Sequence, residues 1–192
     1  ISSNGEFLSK NLKKEKISEN LVGMGFIELY TYMLTSTEIQ YNKMKINEKN
    51  NVRILDSAEE GINTVRTLIL PEQLIALNIN RKCGYPQKVF ENGFVIKNDE
   101  NEEHICVSIT DPKSNYTKIK EIFDMLVKIN GWDLKLKEKE HSFLIKGRSA
   151  SILYKNKEVG FIGEVHPEIL DNFGLLVPVS CFEINIKEII EE

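Results

Sequence analysis

The last third of the chain is written in period two. Apolar and polar residues alternate through 134–139, 143–146, 150–155 and 158–165, with polar turns between them. Alternation puts successive side chains on opposite faces of a strand. Strands that follow one another through short turns pair antiparallel, and Asn156-Lys157 is a plausible hairpin tip. A final apolar run, 179–186, adds one more strand, after a short helix opened by Pro167 and stopped at Gly174.

Upstream the period changes to that of helices. Leu8, Leu12, Ile17, Leu21 and Val22 mark an amphipathic helix over 6–23, closed by Gly23 and Gly25. A strand is predicted over 26–34 and a short helix from Ser36 or Thr37 to about Met44. Residues 52–55 are a short strand candidate, and the polar stretch 56–63 a loop. Pro71 suits a helix start, with an end near Gly84. Strands follow at 89–97 and 104–109, joined by the acidic run 99–103, and then a helix at 116–130 stopped by Gly131. The expected fold is α+β, a largely antiparallel sheet flanked by helices, in one module over 1–192.

The formal net charge of -4 disfavours a dedicated nucleic-acid binder, which needs a concentrated excess of Lys and Arg, but leaves room for a local basic patch. No apolar run reaches the ~18 residues that cross a bilayer, and the polar start carries no signal core, so a cytoplasmic location is expected. Cys83, Cys106 and Cys181 have no Cys-x-x-Cys spacing; reduced, mostly buried thiols are expected and no metal site. The chain opens on Ile1 rather than Met, from which a fragment of a longer protein is expected.

Three blocks carry a resemblance. They are Gly23-Met24-Gly25-Phe26-Ile27-Glu28; Val65-Arg66-Thr67 with Leu70-Pro71; and Tyr85-Pro86 through Phe90-Glu91-Asn92-Gly93. A fourth, Gly160-Phe161-Ile162-Gly163-Glu164-Val165-His166-Pro167-Glu168, continuing to Phe182-Glu183-Ile184, is the strongest. Together they resemble the C-terminal module of phenylalanine-tRNA ligase beta subunits of the archaeal and eukaryotic cytosolic type. The resemblance implies a fold like the catalytic domain of class II aminoacyl-tRNA synthetases, without its chemistry. It implies an alpha subunit that activates phenylalanine with ATP and magnesium, a heterotetramer, and tRNA met through the assembled enzyme. No cofactor is expected in this chain itself. The family-motif positions Gly23, Gly25, Glu28, Arg66, Pro71, Pro86, Phe90, Glu91, Gly93, Gly163, His166, Pro167, Phe182 and Glu183 are expected to be mainly structural.

The residues themselves bear on catalysis. Class II adenylate formation uses a strand Arg on the alpha-phosphate and a late glycine-rich Arg motif. Here Lys88 stands at the first position, a point charge without the bidentate fork, and Arg148 is the last arginine. Loss of two such clamps costs on the order of 10²-fold each, so no catalytic residue is assigned. The alternative is a free-standing paralogue that binds or activates an amino acid with ATP, using Lys88, Glu91 and the Glu164–His166 cluster. Against that, His166 reads as a cap, Glu168 as an acid at a helix N-terminus, and Phe90-Glu91 as an ordinary strand pair. His104 and His141 stand isolated and receive no role; Trp132 reads as a packing residue, with no basic neighbourhood near it in sequence. The resemblance also implies a subunit interface on the first helix and strand, at Leu12, Ile17, Leu21, Met24 and Phe26. An isolated module with such a surface is open to homodimerisation. The lysines of 10–16 and 113–120 are a weaker candidate for tRNA contact.

Overall fold

A computed structural model describes residues 5–49, 51–55, 57 and 60–191. The polar start at Ile1 to Asn4, and Asp56, Ala58 and Glu59 of the expected loop, lie outside the described residues. The described chain forms an α+β fold around a seven-stranded sheet in the order β1-β4-β5-β9-β8-β7-β6. These strands are β1 (Ile27–Glu28), β4 (Gln87–Lys97), β5 (Glu100–Thr110), β9 (Val179–Asn185), β8 (Lys157–Val165), β7 (Leu144–Tyr154) and β6 (Leu134–Glu138). Only the edge pair β1/β4 is parallel; every other neighbour is antiparallel. A small second sheet pairs β2 (Leu34–Thr35) with β3 (Thr64–Val65).

Both sheet faces are covered. Ile105 and Val107 of β5 and Phe182 and Ile184 of β9 pack on one side with Ile17 and Leu21 of α1 (Ser9–Gly23) and Phe123 and Leu126 of α3 (Tyr116–Asn130). The alternate residues Cys106 and Cys181 pack on the other side with Leu70, Leu74 and Leu77 of α2 (Leu70–Ile79) and Ile169 and Leu170 of α4 (Pro167–Asn172). A strand buried on both faces loses its polar alternation, which explains the continuous burial of β5 and β9. Gln73 of α2 fastens this second layer to β5, donating to the Cys106 carbonyl at 3.0 Å and accepting from Ser108 Oγ at 2.6 Å. Cys83 is exposed while Cys106 and Cys181 are buried, and burial pushes the latter two thiols well up.

The structure corrects several sequence expectations. The strand expected over 26–34 is two short pairings, because the chain leaves Val89 and Phe90 after Glu28 and reaches Val65 only at Leu34. The helix expected to Met44 is a π-helical turn, Glu38–Asn42, in which Lys43 N–H reaches the Glu38 carbonyl at 2.9 Å. Residues 52–55 make only an isolated bridge, Arg53 to Thr64. Helix α2 ends at Ile79, where the Asn80 side chain donates to the Ala76 carbonyl at 2.8 Å. Residues 100–103 of the acidic run belong to β5; the hairpin turns at Asn98 and Asp99, whose φ values of 50° and 62° fit a two-residue turn. The two strands expected between 143 and 155 are one strand, β7, with a register shift at Gly147, where φ is 75°. Its hairpin tip lies one residue early, at Lys155-Asn156. A short helix, α5 (Lys187–Ile190), extends the chain beyond the last expected strand and buries Ile189 and Ile190.

The tightest sheet contact is at Gly160, where a Cβ would lie 2.0 Å from the Glu183 carbonyl oxygen of β9. Gly160→Ala is expected to force β8 and β9 apart and cost about 1–3 kcal/mol, read as a lower urea midpoint.

Candidate functional site

A cavity of about 590 Å³ opens on the α2 side of the sheet where β4, β5, β9 and β8 end. Its polar wall is built by period two: Glu102 and His104 share one face of β5, and Glu183 faces them from β9. His104 stands between two carboxylates. Its Nδ1 lies 2.7 Å from Glu183 and its Nε2 2.8 Å from Glu102. Each ring nitrogen thus lies within hydrogen-bond reach of a carboxylate. The hydrogen bond from His104 holds the Glu102 carboxyl below the usual range, against partial burial.

Glu183 does more than face His104. Burial pushes its carboxyl up, yet the His104 hydrogen bond and charge, Lys97 and the Ile69 amide outweigh this and hold it low. Its oxygens accept from the Ile69 amide at 3.1 Å and the Leu70 amide at 3.0 Å, at the start of α2. That helix has no side-chain cap from its own first residues. Glu183 therefore caps it from across the sheet, with its charge at the positive end of the macrodipole. The Gln40 side chain completes the approach by accepting from the Thr67 and Leu68 amides at 3.1 Å each.

A second buried polar group lies beneath β4. Arg66 donates through Nη1 to Glu91 and to Thr31, each at 2.7 Å, and through Nε to the Phe94 carbonyl at 2.8 Å. Thr31 donates in turn to the second Glu91 oxygen at 2.6 Å. Gly93 makes room for this, since a Cβ there would lie 2.3 Å from Arg66 Nη2. Nearby, burial raises the Glu72 carboxyl, partly offset by hydrogen bonds from Thr35 and Gln40.

The remaining family-motif positions are distributed through the fold rather than gathered. Gly25 takes a positive φ of 82° at the turn after α1. Gly23 ends α1, and Glu28 accepts from Ser18 at 3.1 Å. Pro71 lies in the first turn of α2, and Pro86 follows a cis peptide bond just before β4. Phe90 and Phe182 fill the core on the α1 side. Gly163 packs beneath Arg148 and Ser149 at the β7 irregularity. His166 caps α4, accepting from the Glu168 amide at 3.2 Å, with Pro167 next to it, while Glu168 pairs with Lys45. The Glu164–His166 cluster is thus dispersed: Glu164 accepts from the Tyr116 amide at 2.8 Å, at the start of α3 on the opposite face, and from Arg148. Lys88 also lies on that opposite face, donating to the Met24 carbonyl at 3.4 Å over the Phe26 ring.

The expected interface set is divided. Ile17, Leu21 and Phe26 are buried in the chain's own core and Met24 is half-buried against it, leaving Leu12 exposed. Phe7, Leu8 and Val22 on and just before α1 are exposed as well, and four exposed apolar residues stand apart from that helix: Ile27, Leu34, and above all Tyr30 and Tyr32, at 96% and 87% exposure. They lie on the edge segment that runs from β1 to β2. Thr31, between the two tyrosines, turns the other way and donates to Glu91. His104 was missed because both partners that give it a role lie on its sheet face, one of them 79 residues away. Among the described residues, no group of three or more His, Cys, Asp or Glu is placed to hold a metal ion.

Glu183→Gln is expected to lower stability by about 1–3 kcal/mol at neutral pH, since three donors lose their anionic acceptor. The folded carboxyl is depressed, so its contribution is present above the unfolded value of about 4.3 and fades as pH falls through the folded one. Urea midpoints of the two proteins should therefore differ at neutral pH and converge in acid.

Comparison with known proteins shows the family. Residues 2–186 match the family model described as "Phenylalanyl tRNA synthetase beta chain CLM domain". The chain is similar to a protein named "Phenylalanine--tRNA ligase beta subunit" from Pyrococcus abyssi, 34% identical over 181 residues, covering 91% of this chain and 33% of the relative. Proteins of the same name from Methanocaldococcus jannaschii and Thermoplasma volcanium are 36% and 37% identical, covering 97% and 93% of this chain and 35% and 33% of the relatives. The chain thus spans about a third of the length of these curated relatives. By this match over nearly its whole length, the chain belongs to the phenylalanyl-tRNA synthetase beta chain CLM domain family.

Proposed function

We propose that this chain is a non-catalytic assembly module of a phenylalanine-tRNA ligase beta subunit. In this reading it has a class II synthetase-like fold and packs against a catalytic alpha subunit in a cytoplasmic heterotetramer. It thereby supports ATP-dependent phenylalanylation of tRNA, with ATP and magnesium used at the alpha subunit. The observation that carries the reading is the edge segment from β1 to β2. It exposes Ile27, Tyr30, Tyr32 and Leu34 on a rigid base formed by the buried Arg66–Glu91–Thr31 group. Exposed aromatic anchors backed by an ordered polar support have the character of interface hot spots.

The polar groups that a ligase would need are otherwise engaged. Glu91 is taken up by Arg66, Glu183 by the start of α2, and Lys88 faces away from the cleft. No arginine lines the cleft among the described residues. A second reading, a paralogue that binds or activates an amino acid with ATP, draws on the volume of that cleft and its His104 wall. The two separate on the isolated chain, where the assembly reading expects pyrophosphate exchange at background.

Co-expression with the alpha subunit of the same organism is expected to yield a complex. Replacing Tyr30 and Tyr32 together by Asp should weaken it about 30-fold or more, with the melting temperature of the isolated chain unchanged, because hot-spot aromatics contribute about 2 kcal/mol or more each. Two folded proteins that do not co-purify, or a double variant that assembles like the parent, would contradict the proposal.

A further inference from the structure

Trp132, the chain's only tryptophan, follows Gly131, which ends α3 in the left-handed conformation. It is half-buried against the core on the α1 side and lines two surface hollows of about 560 and 550 Å³. One hollow is walled by Val127, Leu134 and Leu136 and edged by Lys120, Asp124 and Lys128; the other is edged by Lys13, Lys16 and Tyr154. The sequence shows no basic neighbourhood around Trp132, yet the fold assembles one. It brings Lys13 and Lys16 from α1, Lys120 and Lys128 from α3, and Lys155 from the β7–β8 turn. Five lysines meet two aspartates there, and one of these, Asp124, is already paired with Lys120. Lys13 donates to the Ile190 carbonyl at 2.9 Å, a contact that leaves its charge in place.

This local excess stands out in a chain of net charge -4, and the cavity beside Glu183 has no such excess, its lysines and glutamates being balanced. We infer that the Trp132 face binds single-stranded nucleic acid, with phosphates against Lys13, Lys16 and Lys128 and an unpaired base against the indole. The chemistry selects the occupant. Lysines beside a stacking ring serve a strand that offers both phosphate charge and a free base face. A duplex keeps its bases stacked on one another, and an acidic peptide offers no planar ring. The inference is independent of the alpha-subunit reading, which concerns the β1–β2 edge.

Because Trp132 is the sole tryptophan, its fluorescence reports the site directly when the chain is titrated with a short oligoadenylate. Saturable quenching is expected, with log affinity falling against log salt at a slope of about -2 to -3.5 for three to five phosphates. Lys13→Gln and Lys128→Gln should each reduce that slope by about 0.7 at an unchanged melting temperature. Trp132→Ala, followed by anisotropy of labelled oligoadenylate, should weaken binding by about 5- to 100-fold; should it unfold, the two lysine variants decide. A duplex of the same length should bind about tenfold more weakly or less. Absence of quenching at low salt, slopes unmoved by either lysine variant, or equal affinity for oligoglutamate of matched charge would each overturn the inference.

Discussion

Two carboxylates in the middle of the sheet hold two helix N-termini on opposite faces, and the layers are organised around them. Glu183 of β9 accepts the Ile69 and Leu70 amides at the start of α2. Glu164 of the neighbouring strand β8 accepts the Tyr116 amide at the start of α3. A helix N-terminus presents unpaired donors and partial positive charge, so an anion fixed in a strand fastens both the position and the direction of the helix. An apolar contact gives a layer its cohesion but little angular definition. Here the angle comes from charge, and Gly160 allows the close approach of β8 to the Glu183 backbone on β9, so that neighbouring strands carry the two glutamates to opposite faces.

The same arrangement accounts for what the molecule leaves available. With Glu183 bound to amides and His104, Glu102 to His104, Glu158 to Lys139 and Glu188 to Lys157, the acidic residues that line the cleft are engaged, and Glu91 beneath β4 is held by Arg66 and Thr31. Buried charges of this kind are maintained only when their hydrogen-bonding capacity is filled, which leaves little for a reacting substrate. The free chemistry lies at the edges: a tyrosine-bearing segment between β1 and β2, and a lysine face around Trp132. These surfaces suit macromolecular partners better than small substrates.

Much of the sheet was legible because period two is a direct consequence of strand geometry, and the helices at 116–130 and after Pro167 were marked by their caps. Local signals misled where tertiary pairing decided the outcome. The polar, largely acidic residues 100–103 look like a turn but are strand, since Asn98 and Asp99 accept the left-handed backbone, Glu102 finds a hydrogen-bond partner in His104 and Glu103 finds cationic partners in Lys10 and Lys14. The family motifs led to Arg66, Glu91 and Glu183, but not to their roles, because Thr31, His104 and Ile69 are distant in sequence. The apolar stripe of α1 was read as shared with a partner, whereas Ile17 and Leu21 are fully used inside the chain. Sequence periodicity marks an apolar face without saying what covers it.

The central claim is that the chain acts through its β1–β2 edge and not through its cleft. Hydrogen exchange of the chain alone and with the alpha subunit, resolved along the backbone, measures this most directly. The account predicts that amides of residues 27–35 slow markedly on mixing while those of β5, β8 and β9 at the cleft keep their rates. Protection confined to the cleft strands, or no protection at the edge in a mixture that forms a complex, would contradict it.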